Sequence, residues 1–309
     1  IAGALKQKSL DTANRVLGDC DKLGLRIITI QDLDYPDRLR NIYDPPILLY
    51  VQGRMPQFDG EVAVAMVGTR RCSPYAMEMG ERLAYQLAAH GAVVVSGLAA
   101  GSDSAAHRGA LRAGGFTAAV IGGGHDIIYP RESRYLYEDL AVRGVILSEY
   151  PPGTEHMGSH FPVRNRILSG LCLGVLAVEC KPVGGTMLTI NHALEQGREV
   201  YAVPVGLNEE CARGTNQLIR DFKAKLVENA EDILRDYVDR FPAKLSSLAP
   251  LPPSVVSARL SGDKPDRAAA PAPKAPEPSG RELVPKGQQK SRFTDDELAE
   301  LALAADDTE

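Results

Sequence analysis

The stretch FPVRNRILSGL, from Phe161 to Leu171, sets an aromatic ring, two arginines and an asparagine just ahead of an apolar run. Guanidinium groups make charge-assisted, often bidentate bonds to phosphate oxygens. A flat ring accepts a nucleobase by stacking, a contact of about 1–3 kcal/mol per base that tolerates any base. Phe161, Arg164, Asn165 and Arg166, with Arg70 upstream, are therefore the residues whose types suit a phosphate-bearing, base-bearing ligand. The same residues have a plainer use, in which an arginine pairs with Glu149 or Glu179 and the phenylalanine joins the core. No acidic side chain lies between Gly158 and Gly170, so such a partner would have to come from elsewhere in the chain.

Residues of this kind need a scaffold that gathers them at one edge. Six short apolar runs, VAVAMV, AVVVSG, FTAAVIG, GVILSE, GVLAVE and EVYAVP, alternate with helical segments from Val62 onward. Runs of this length without polar alternation are strands buried on both faces, which predicts an α/β, doubly wound, mostly parallel sheet of Rossmann-like type with flanking helices. The first crossover helix has Ser73 as N-cap, Pro74 at its first position and Gly91 just past its end. In such sheets ligands bind beyond the carboxyl ends of the strands. The six segments there read GTRR from Gly68, SGLAAGSD from Ser96, GGGHD from Gly122, SEYPPGT from Ser148, ECKPVGGT from Glu179 and PVGLNEE from Pro204. Glycines let backbone N–H groups approach a ligand, and helix N-termini behind them add partial positive charge. Gly68, Thr69, Ser96, Gly97, Gly184, Gly185 and Thr186 thereby join the expected site. The glycines also suit tight strand-to-helix turns with no ligand at all. Neither G-x-G-x-x-G after the first strand nor G-x-x-x-x-G-K-[ST] anywhere is present, which disfavours dinucleotide redox chemistry and P-loop hydrolysis.

The charge balance fits a local rather than a global anion site. The 309 residues carry 35 basic and 40 acidic side chains, but seven of the acidic ones fall between 294 and 309. The remainder holds 35 basic against 33 acidic groups, so no domain-wide basic field steers a polyanion. Five cysteines (Cys20, Cys72, Cys172, Cys180 and Cys211), without any C-x-x-C, indicate neither a disulfide framework nor a zinc site. No run approaches the roughly 18 apolar residues of a membrane span and no signal-peptide core is seen, so the expectation is a cytoplasmic protein without membrane contact. Residues 1–60 read as a lead-in segment, a truncated helical domain, and 61–241 as the Rossmann-like domain. Ten of the 21 prolines fall between Pro242 and Pro285, marking a Pro/Ala-rich linker over 242–291. Thr294 and Glu297 in capping-box spacing predict a short acidic helix over 292–309.

The segments VGTRRCSPY, SGLAAGSDSAAHRGAL, IGGGHDIIYP, SEYPPGT, FPVRNRILSGL, GGTMLTINHALEQGREVYAVP and GTNQLI occur in an order and spacing that resemble the DNA-processing protein A family, DprA or Smf. The resemblance runs over roughly residues 30–236, and the F-P-x-R-N-R block is its most specific part. It implies an extended Rossmann fold that binds single-stranded DNA, dimerises and loads the RecA recombinase during natural transformation, with no catalytic step, no cofactor and no metal. It places the family's glycine-serine-arginine loop on Gly68, Thr69 and Arg70, and its aromatic and R-N-R elements on Phe161, Arg164, Asn165 and Arg166. Departures accompany the matches. Where the family has A-R-G-I-D, this chain has Ala99, Ala100, Gly101, Ser102 and Asp103, without the basic residue. The S-G-[SA]-L-x-T-A block is here Gly184 to Ile190, the P-G pair is Pro204-Val205-Gly206, and KAKLV replaces G-A-x-L-V. The winged helix that closes the family's chains is not seen after the linker.

Four rival readings remain. PVGGTMLTINHALE loosely echoes the P-G-G-x-G-T-x-x-E motif of lysine-decarboxylase-like phosphoribohydrolases, but Glu195 follows Thr186 by nine residues instead of three. Asp103, His107 and Glu149 form an alternative acid–base set, against the plainer reading that Asp103 caps a helix and His107 packs on it. His156 and His160 have the spacing of a helical metal pair, yet Gly158 between them argues against a helix. A pure interaction scaffold would leave the glycine-rich edge unexplained.

Overall fold

The computed structural model describes residues 10–206 and 213–245. Cys211, the acidic helix expected over 292–309, the linker beyond residue 245 and the end of the loop after Gly206 lie outside the described residues.

The six expected strands form in place: β3 (Ala63–Gly68), β4 (Val93–Ser96), β5 (Thr117–Ile121), β6 (Val145–Ser148), β7 (Gly174–Glu179) and β8 (Glu199–Ala202). They are parallel to one another, and β9 (Lys225–Leu226) extends the β8 edge in the same sense. Two earlier strands, β1 (Arg26–Thr29) and β2 (Leu48–Gly53), run antiparallel to each other, and β2 pairs antiparallel with β6. The lead-in segment thus joins the same nine-stranded sheet, in the order β1-β2-β6-β5-β4-β3-β7-β8-β9. From β3 the chain winds outward through β4, β5 and β6, then returns to lay β7 on the other side of β3. That reversal is the topological switch point, where the carboxyl ends of β3 and β7 open a crevice.

Period-two alternation assigns the core. Ala63, Ala65 and Val67 face one side, against Ile167, Leu168 and Leu171 near α6 (His160–Gly170) and Ile190 and Ala193 of α7 (Gly185–Glu195). Val62, Val64 and Met66 face the other, against Leu83 and Leu87 of α3 (Pro74–Ala89) and Ala106 and Ala110 of α4 (Ser102–Arg112). α1 (Asp11–Leu23) covers β1 and β2, while α5 (Arg134–Arg143) covers β5 and β6. α2 (Asp37–Arg40), α8 (Arg213–Arg220) and α9 (Glu231–Leu234) complete the described helices. α3 starts as expected: the Ser73 hydroxyl accepts from the Ala76 N–H at 3.1 Å and Pro74 fills the first position, where no donor is missed.

Candidate nucleic-acid interface

The crevice is built on a carboxylate. Glu179 ends β7 with 1% of its surface exposed. It accepts the Thr69 hydroxyl at 2.8 Å, the Ser73 hydroxyl at 2.6 Å and the Ser73 N–H at 3.2 Å, while its carbonyl accepts the Thr69 N–H at 3.1 Å. Four bonds from one residue fix the Gly68–Ser73 loop and leave Arg70 and Arg71 exposed. Ser102, at the start of α4, ties the other side by donating its hydroxyl and N–H to the Thr69 carbonyl at 3.3 Å each. Gly101 makes this approach possible: at φ +78° a Cβ would stand 2.5 Å from the Arg70 carbonyl oxygen.

A cavity of about 550 Å³ opens above this loop. One side is the start of α7, whose N-cap is Gly184 and whose first turn receives no side-chain cap, so its N–H groups and positive dipole end remain free for an anion. Lys181 and Thr186 line the same side. The other side is aromatic. The Arg70 guanidinium carbon sits 4.5 Å over the Phe161 ring, and Tyr129 and His156 complete a group of three rings with centroids 5.6–6.5 Å apart. Among the described residues no carboxylate lies within ion-pair distance of Arg70 or Lys181.

The three arginines of the expected site have three different surroundings. Arg164 is 3% exposed, donates to the Val120 carbonyl and lies beside Asp103. Burial brings its pKa down to about 10, and burial raises that of Asp103 although the Arg164 charge and neighbouring N–H groups work against it. Gly97 is the residue that makes room, since a Cβ there would collide with the Arg164 guanidinium. Arg166 lies on the far side of α6, gripping the Glu149 carboxylate with two bonds of 2.8 and 2.7 Å and the Asp44 carboxylate at 3.0 Å. Burial works to lower its pKa, but the Glu149 bond and charge outweigh that and raise it. Arg70 is the exposed one.

The cavity thus gathers Gly68, Thr69, Arg70, Phe161, Arg164, Asn165, Gly184, Gly185 and Thr186. Asn165 reaches the Gly185 carbonyl at 3.4 Å, which links α6 to the α7 start. Ser96, Gly97 and Arg166 do not line it: the Ser96 hydroxyl is directed back to the Met66 carbonyl at 2.6 Å, and Arg166 forms the pair with Glu149 that the sequence left open. Lys181, Tyr129 and His156 line it without having been singled out for it. Lys181 stands just after β7, in a segment already chosen for its glycines, so position after the strand was the signal there, whereas Tyr129 lies three residues past GGGHD, within IGGGHDIIYP.

The rival constellations are dispersed. His107 is fully buried with Nδ1 on the Thr117 hydroxyl at 2.7 Å, and burial drives its pKa down to about 3. Glu149 is held by Arg166, so Asp103, His107 and Glu149 share no open site. Glu195 projects from the last turn of α7 with 74% of its side chain exposed, next to His192 and away from the cavity. His156 and His160 bond the separate carbonyls of Ile127 and Gly122, and no group of three metal-type ligands occurs among the described residues.

A mostly parallel Rossmann-like sheet with glycine-rich loops and a half-open crevice at its switch point defines the class of protein. The family follows from comparison with known sequences and structures. The chain belongs to the DNA recombination-mediator protein A family, whose model matches residues 26–238. It is 41% identical over 226 residues to the DNA processing protein DprA of Bacillus subtilis, covering 73% of this chain and 76% of that protein. The Escherichia coli protein Smf is 38% identical over 203 residues, covering 65% of this chain and 54% of Smf. Among solved structures, DprA of Streptococcus pneumoniae superposes with a TM-score of 0.66 at 40% identity, over 69% of this chain and 74% of that one. DNA processing protein A of Helicobacter pylori, described for its mode of single-stranded DNA binding, superposes at 0.63 and 30% identity over 70% and 97%. The family is one of recombination mediators. No helix among the described residues is long and apolar enough to cross a membrane.

Proposed function

We propose that this protein binds single-stranded DNA in the switch-point cavity, protects the strand and loads RecA recombinase onto it during transformation or recombination, acting in the cytoplasm as a homodimer. One observation carries the binding reading: an exposed guanidinium, without a carboxylate partner among the described residues, lies on an aromatic ring, in a cavity that also presents a lysine and an uncapped helix start. Phosphate oxygens suit the amides of Gly184–Thr186, Lys181 and Arg70; a base suits Phe161. Thr69, Asn165 and Gly68 shape the floor, and Arg164 and Arg166 act as supports for α6. Preference for single strands follows because a duplex hides the base faces that stacking needs. RecA loading and dimerisation are supported by family membership alone.

The test is fluorescence anisotropy of labelled oligothymidine against a duplex of equal length at two salt concentrations. Salt-sensitive binding to the single strand, with at most weak binding to the duplex, is the expected result. Equal affinity for both, or for neither, removes the reading.

A further inference from the structure

Phe161 accounts for one base, yet the cavity wall holds more ring surface than one base needs. Tyr129 is 42% exposed, lines the cavity and belongs to none of the core clusters. Its ring centroid is 5.8 Å from that of Phe161, but the planes are tilted by 39°. A single planar base cannot lie flat on both faces at that tilt, so the two rings present two separate surfaces.

Tyr129 is also backed. His156 stacks against it, with centroids 5.6 Å apart and planes at only 23°, and His156 is fixed by a 2.7 Å bond from its Nε2 to the Ile127 carbonyl. The seat is close: a Cβ on Gly123 would stand 2.7 Å from the His156 ring. Burial holds the His156 imidazole below its usual range, so at neutral pH it backs Tyr129 as an uncharged ring. A ring fixed before the ligand arrives loses little entropy on binding, the condition under which stacking surface converts to affinity.

We infer that Tyr129, stiffened by His156, is a second base-stacking surface, taking the nucleobase adjacent to the one on Phe161 so that the site engages two consecutive nucleotides. This rests on the single-strand reading above. Arg70, beside Phe161 with no competing carboxylate, is then positioned for the phosphate between the two bases.

The experiment compares thymidine monophosphate with oligothymidine on the full chain, using Tyr129→Ala and Tyr129→Phe. Tyr129→Ala should weaken oligothymidine about 5- to 150-fold, the range of one lost stacking contact, with its salt slope unaltered. Its affinity for the mononucleotide, which engages only the Phe161 position, should not change. Tyr129→Phe keeps the ring and should bind like the wild-type chain. Unchanged oligothymidine affinity in Tyr129→Ala overturns the inference, as does an equal loss for both ligands, which marks a structural role. Failure of the wild-type chain to bind oligothymidine overturns the function above and this inference with it, whereas wild-type binding with an indifferent Tyr129→Ala overturns this inference alone.

Discussion

The Gly68–Ser73 loop and the first turns of α6 both bring arginine to the switch point, and they use it in opposite ways. In the loop, Glu179 takes up the hydroxyls and backbone donors, so that Arg70 is exposed without a carboxylate among the described residues. In α6 the carboxylates and carbonyls surround the arginines themselves: Arg166 is closed by Glu149 and Asp44, and Arg164 by Val120 and Asp103. Identical side chains thus divide into an open half, the half proposed to bind, and a load-carrying half, and what divides them is where the nearest acid is directed. A buried arginine with a bidentate partner holds helices in place; an exposed one over a ring is available to a ligand.

Each half can be broken separately. The largest effect should come from Arg166→Ala, which leaves Glu149 without its partner at a site where the Arg166 side chain is 10% exposed. A loss of about 3–5 kcal/mol in unfolding free energy is expected, read from the denaturant midpoint. Acid should act next on the buried half. At pH 7 the imidazoles of His107 and His125 are neutral in both folded and unfolded chains. Below about 6.5 the unfolded imidazoles take up protons, while burial holds the folded ones to about 3 and about 4. Stability should therefore fall as pH falls, by up to about 2.7 kcal/mol per pH unit near pH 5, two protons at about 1.4 kcal/mol each. Unfolding curves between pH 7 and 5 check this, and a stability flat over that range would contradict it. The smallest effect belongs to the binding half. Arg70→Ala should leave the denaturant midpoint within about 0.5 kcal/mol of wild type while lowering the log–log salt slope for oligothymidine by about 0.7, one phosphate contact. An unchanged slope would remove Arg70 from the strand and collapse the contrast.

The parts visible in the sequence and the parts hidden from it follow the same division. The six parallel strands and the α3 cap were legible because apolar run length and Ser-Pro punctuation are local properties. Gly68, Arg70 and Gly184 were legible as cavity-lining residues because position after a strand end is also local, and Phe161 because its ring shares one short block with Arg164, Asn165 and Arg166. What was not legible is which arginine is free. Arg166 meets Asp44, 122 residues away, and that pairing exists only once α2 and the loop after it pack against α6. Glu179 shows the same limit: it was weighed as an arginine's partner, whereas it organises the loop that carries Arg70. The antiparallel β1–β2 pair escaped because its strands show neither a tight hairpin turn nor the crossover rhythm of the others.

The β2–β6 pairing has a further consequence. Without it, β6 would end the parallel sheet with a bare row of amide and carbonyl groups on four fully buried residues, Val145 to Ser148. Such a margin invites strands from other molecules. The segment ahead of Val62 is therefore a hem on the fabric: it keeps this edge from being stitched to a neighbour.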